Sequence, residues 1–109
     1  MPDWKAKLEQ EFARAADARA RGNEGQARVC ARRAAGIAAR EYYARRGQPV
    51  RTPSAYDLLQ HIADEADLSP EIKQAAAYLT MRVTEEFTLP VDVDLVDQAR
   101  KLTDGLFAD

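Results

Sequence analysis

Cysteine and histidine each occur once, at Cys30 and His61. A lone cysteine cannot close a disulfide within the chain or join a multi-cysteine zinc site, and a lone histidine leaves zinc without a histidine pair. The only serines, Ser54 and Ser69, both sit where helix caps belong rather than in a nucleophile's setting. Five glycines compose neither a GxGxxG turn nor a GxxxxGK[ST] phosphate loop. No apolar run approaches the roughly 20 residues that cross a bilayer. The start, Met1-Pro2-Asp3-Trp4-Lys5, lacks the basic and then apolar blocks of a signal peptide. A cytoplasmic, non-membrane protein without metal or cofactor is the resulting expectation.

The composition that remains is 46% hydrophobic and 31% charged, a globular balance over 109 residues, which suits one domain spanning 1–109. Charge is unevenly spread. Residues 1–51 carry +6 and residues 52–109 carry −8, which together give the net −2. Such asymmetry fits a partner, self-complementarity, or oppositely charged helices lying side by side.

Apolar spacing is helical throughout, and no segment alternates with period two. Asp3 is placed to cap a first helix with Trp4, Leu8, Phe12, Ala15 and Ala16 on its inner face, ending at Gly22. Asn23 opens a second helix over about Glu24 to Arg46, stopped by Gly47. A loop rich in proline follows, and either Thr52 or Ser54 caps a third helix with the stripe Tyr56, Leu59, Ile62, Ala63 and Ala66. Ser69-Pro70-Glu71 starts a fourth, predicted to reach about Phe87 through Ile72, Ala76, Leu79 and Val83. Asp92 or Asp94 caps the last, with Leu95, Ala99, Leu102 and Leu106 on one face. The expected fold is all-α, an up-and-down bundle of about five helices.

At 100° per residue the second helix shows two apolar faces. Ala27, Cys30, Ala31, Ala34, Ile37, Ala38 and Tyr42 form the broader one, which is assigned to the core. Val29, Ala35, Gly36, Ala39 and Tyr43 form another, bordered by Arg28, Arg32, Arg33, Arg40 and Arg46. Three readings stand: a central helix packed on both sides, the seam of a homodimer, or an anionic-ligand site in which the arginines contact phosphates of RNA or a nucleotide. Glu41 and Arg45 have the spacing of an intrahelical ion pair. The acidic run Asp92, Asp94 and Asp97 lacks the glycine-centred spacing of a calcium loop. His61 is assigned to the surface of the third helix without a chemical role.

Gly25 to Gly47, an alanine-rich second helix ending in Arg46-Gly47, resembles the HEPN domain family. The likeness continues through the proline-containing loop, Tyr56-Asp57-Leu58-Leu59, the Pro-started fourth helix and Asp97-Gln98-Ala99-Arg100-Lys101-Leu102. It implies a four-helical bundle core, commonly homodimeric, often encoded beside a nucleotidyltransferase-like partner. Some members are metal-independent ribonucleases that use Arg, four to six residues, then His. Here the positions that would hold that arginine are Ser54, Ala55 and Tyr56, and Arg51 is separated from His61 by nine intervening residues. Gly36 occupies a position that is often polar in the family. The expected function is therefore a non-catalytic interaction protein, with RNA or nucleotide binding, or residual ribonuclease activity, as alternatives.

Overall fold

The computed structural model describes residues 3–48, 50–81 and 93–108. Five helices occupy them: α1 (Asp3–Ala20), α2 (Glu24–Arg45), α3 (Ala55–Asp64), α4 (Pro70–Leu79) and α5 (Leu95–Leu106). No strand occurs among the described residues.

The helix ends follow from local chemistry. Gly22 takes φ +76°, which lets Asn23 N–H reach back to Ala18 O at 2.8 Å and Gly22 N–H to Arg19 O at 3.0 Å. Asn23 then accepts from Gln26 N–H at 3.1 Å and so opens α2 as it closes α1. Gly47, at φ +69°, closes α2 by the same device, with Gln48 N–H bonded to Tyr43 O at 3.0 Å. Ser54 rather than Thr52 caps α3, accepting from Asp57 N–H, while Thr52 Oγ1 supports it by accepting from Ser54 N–H. Asp94 caps α5 through Val96 and Asp97 N–H.

Contacts along the helix pairs fix their directions. Trp4 meets Phe107, Glu9 meets Arg100 and Arg19 meets Asp94, so α5 runs antiparallel to α1. Ile72 packs on Gly105 while Tyr78 and Gln98 line one groove, which makes α4 and α5 antiparallel as well. The expected up-and-down order fails between α2 and α3. Arg40 donates to Thr52 O at 2.6 Å, so the connecting loop has doubled back beside the middle of α2. From there α3 runs in the same sense as α2, with Gly36 against Ala55 and Tyr43 against Glu65.

The core gathers Leu8 and Phe12 of α1, Leu58, Leu59 and Ile62 of α3, Ile72 and Leu79 of α4, and Leu95, Leu102 and Leu106 of α5 around the alanines of α2. Methyl-sized side chains let three helices approach α2 at once. A wide arc of that helix is buried in consequence, which divides the two faces differently from the helical projection: Ala35, Gly36, Ala39 and Tyr43 are buried, whereas Ile37 and Tyr42 are only partly covered.

Smaller departures have similar causes. Ala16 is exposed and Ala18 buried, because α1 turns its inner face along Leu8, Phe12, Ala15 and Ala18. Tyr56 and Ala66 face solvent, and Leu58 takes the inward place. α4 ends at Leu79, short of the predicted Phe87; Thr80 turns its hydroxyl onto Ala76 O and Ala77 O. Val83, Phe87 and Asp92 lie outside the described residues.

Candidate functional site

The outward strip of α2 lies between α1 and α3. It runs Val29, Arg33, Ile37, Arg40, Ala44, with the two arginines and Ala44 exposed and the two β-branched residues half-buried. Two depressions border it and share Ile37 and Arg40. The larger, about 590 Å³, is lined by Asp3, Trp4, Lys7, Ile37, Arg40, Glu41 and Ala44. The smaller, about 220 Å³, lies toward α3 and includes Glu11, Arg33, Pro53, Ala55 and Leu58. Glu11 Oε1 is buried without a hydrogen-bond partner among the described residues; Arg14 Nη1 stands 3.6 Å away.

Of the five arginines expected to form one anionic-ligand site, only Arg33 and Arg40 line a common depression. The others are dispersed around the helix. Arg32 Nε donates to Leu79 O at 2.7 Å, and its burial disfavours the charge and lowers its pKa. Arg46 lies over the Tyr42 ring at 5.2 Å and donates to its hydroxyl. Arg28 is half-buried on the side of α2 away from the strip.

The set of residues expected to form a dimer seam does not lie open on α2. Ala35, Gly36, Ala39 and Tyr43 already pack inside the chain, and of that set only Val29 retains exposure. A Cβ on Gly36 would stand 2.6 Å from Ala55 Cβ, so no second copy reaches this face unless α3 leaves it. Tyr43 Oη donates to Glu65 Oε1 at 2.9 Å; burial first, and this bond second, push the phenol pKa up.

His61 is exposed on α3, edge-on to Tyr43 with ring centroids 6.3 Å apart. It shares a pocket of about 310 Å³ with Val50, Arg51, Thr52, Asp57, Gln60 and Asp64. Arg51 and His61 thus line one depression despite their separation in sequence, because the loop doubles back. No group of three metal-ligating side chains is suitably arranged among the described residues. Glu41 and Arg45 do pair, at 3.1 Å, and Arg45 also lies 5.3 Å from the Trp4 ring centroid and 5.0 Å from that of Phe107.

The sequence places Trp4 only on the inner face of the first helix and gives no role to Lys7, Glu11 or Pro53. Each sits at ordinary helical or loop spacing, and only the arrangement of α1 and α3 on either side of α2 gathers them. The fold and this strip together define a class: an all-helical protein with a mixed basic and apolar surface along its central helix. No helix of the described residues is long and apolar enough to cross a membrane. No family model, curated protein or solved structure matches the chain.

Proposed function

We propose that this chain is a non-catalytic docking protein whose working surface is the α2 strip with its two flanking depressions. The observation that carries the reading is Ile37, a half-buried aliphatic side chain set between two exposed arginines and lining both flanking depressions. An apolar centre with an arginine rim is the composition of protein interfaces. Carboxylates of Asp3, Glu11 and Glu41 line the same ground, which disfavours a phosphate backbone as the occupant. A HEPN-like relationship belongs to the same proposal. It is supported by the all-helical architecture and the alanine-rich α2 closed by Gly47, and with it comes a nucleotidyltransferase-like protein as one partner to try.

The test is a photo-crosslinking side chain at the exposed Ala44, in cells making the full chain. An adduct of discrete mass that disappears with Ile37→Glu is expected. No adduct, or one indifferent to Ile37→Glu, sinks the reading.

A second reading, residual ribonuclease activity, is favoured by Arg51 and His61 lining one pocket. It requires that His61→Ala and Arg51→Ala each abolish RNA cleavage by the purified chain. Cleavage that survives both substitutions belongs to a contaminant.

A further inference from the structure

Glu11 and Arg33 line the smaller depression without pairing to each other. Its apolar lining is Gly36, Ile37, Pro53, Ala55 and Leu58, and its volume of about 220 Å³ falls below the roughly 300–1,000 Å³ of drug-sized sites. It suits a molecule of few atoms. On the α1 side the Glu11 side chain is only 12% exposed, and its Oε1 is buried with no hydrogen-bond partner among the described residues. Arg14 Nη1, at 3.6 Å, supplies charge but no hydrogen bond. A carboxylate oxygen kept from water without a donor is unfavourable, so this one is an acceptor in reserve. The last torsion of glutamate turns broadly, which lets either oxygen face the depression.

On the α2 side stand Arg33 and Arg40, both exposed. Neither has a carboxylate at ion-pair distance among the described residues. Arg40 spends one nitrogen on the Thr52 carbonyl, at 2.6 Å, and that neutral partner leaves its charge unanswered. A negative and a positive pole are thus held apart over apolar ground. From this arrangement we infer that the depression binds a small zwitterion, an α-amino acid with an aliphatic side chain. Its ammonium is held by Glu11, its carboxylate by Arg33 with Arg40, and its side chain lies on Ile37, Pro53 and Leu58. A simple amine would meet Glu11 but stand beside two guanidiniums, and a simple carboxylate would bring a second negative charge toward Glu11. A molecule carrying both charges close together satisfies both poles. The guanidinium fork takes a carboxylate by two parallel hydrogen bonds, which orients the ligand. The inference goes beyond the docking reading, because it concerns a small molecule and holds whether or not a protein covers the strip.

Titration of the isotope-labelled full chain with L-valine, followed by NMR, tests it. Amides around Glu11, Gly36 and Ala55 should shift, with a dissociation constant of about 1 mM or below, an ordinary affinity for so few atoms. Isobutylamine lacks the carboxylate and isovalerate lacks the ammonium, so each should bind at least about tenfold more weakly. Glu11→Gln and Arg33→Met should each weaken valine about tenfold, whereas Arg28→Met, on the other side of α2, should leave it unchanged. A folding defect would weaken every probe alike. Removal of one pole does not: Glu11→Gln should bind isovalerate no worse than the wild type does, and Arg33→Met should do the same with isobutylamine. Arg33 is exposed, so Arg33→Met carries the comparison if Glu11→Gln does not fold. Absence of any shift at valine concentrations up to about ten times that dissociation constant overturns the inference. So does valine that binds no better than its two halves, or valine that binds both variants as it binds the wild type.

Discussion

Tyr43 shows at the scale of one residue how this fold uses polar groups. Its ring is buried, 3% exposed, and its hydroxyl donates to Glu65 at the end of α3. Tyr43→Phe should cost about 1 kcal/mol in denaturant unfolding, the usual net worth of such a bond, since Glu65 is itself partly exposed and can recover water. The phenol has a second signature. Its folded pKa is raised, so its contribution to stability is complete below the unfolded value of about 10 and drains away as pH climbs toward the folded one. Absorbance titration should therefore show one of the four tyrosines ionising only as the chain unfolds, and Tyr43→Phe should remove that component. Ionisation of Tyr43 at its ordinary pH in the folded chain would contradict the burial.

Between elements, two glycines inside helices mark where neighbours come closest. A methyl on Gly36 would lie 2.6 Å from Ala55 Cβ and 3.1 Å from its Cα, so α3 itself must shift. On Gly105 it would meet Ile72 Cγ1 and Cδ1 at 2.7 and 2.8 Å, part of a side chain that is 8% exposed and able to rotate. Gly36→Ala should destabilise by about 1–3 kcal/mol, as overpacking does. Gly105→Ala should cost less, since the Ile72 side chain can turn aside whereas the Ala55 backbone cannot; alanine's helix propensity returns up to about 1 kcal/mol at both positions. Thermal melts of the two variants side by side check the order, and a reversed order would refute this account of the α2–α3 contact. Ala39→Glu belongs with them. It buries a carboxylate in the bundle and should prevent folding, whereas Ile37→Glu, two positions earlier, should leave the circular dichroism spectrum intact.

How far these elements were legible depends on what each signal measures. Capping is local chemistry, and Asn23, Ser69, Gly22 and Gly47 act in the structure as their positions in the sequence imply. The inner face of α5 is equally plain because large leucines alternate with charges. α2 is the opposite case: a helix of alanines carries almost no hydrophobic asymmetry, so periodicity could not tell one buried face from a buried arc. Gly36 and Ala39 look like an open small-residue seam in projection, but Gly36 is sealed by Ala55 of α3 and Ala39 is fully buried. The direction of α3 was hidden for a different reason. Nothing in the loop's composition records that it doubles back, and the pocket joining Arg51 to His61 is a product of that turn.

Over the whole molecule, α1 and α5 are joined by two ion pairs that bring the basic and acidic halves together. Arg19, in the last turn of α1, donates to Glu24 and Asp94, which stand at the start of α2 and α5. All three charges suit the helix dipoles they sit on. Arg100 clasps Glu9 with both nitrogens, at 2.9 and 3.0 Å, and lies over the Phe12 ring. The hydrogen bond from Arg19 holds the Asp94 carboxyl below its ordinary pKa, and that from Arg100 does the same for Glu9. With folded values depressed, the stability these carboxylates contribute is complete above the ordinary carboxylate range and is lost as pH falls through the folded values. These groups are about half exposed, so solvent screens each pair to about 1 kcal/mol or less. Arg19→Met should accordingly lower the melting temperature at neutral pH by a few degrees and by progressively less in acid, until the two curves meet once Asp94 is protonated in the folded chain. High salt at neutral pH should narrow the same gap. If the difference between variant and wild type stayed constant from neutral to acid pH, Arg19 would be contributing through its packed stem alone, and the α1–α5 seam would owe its hold to Trp4, Phe12 and Phe107 instead.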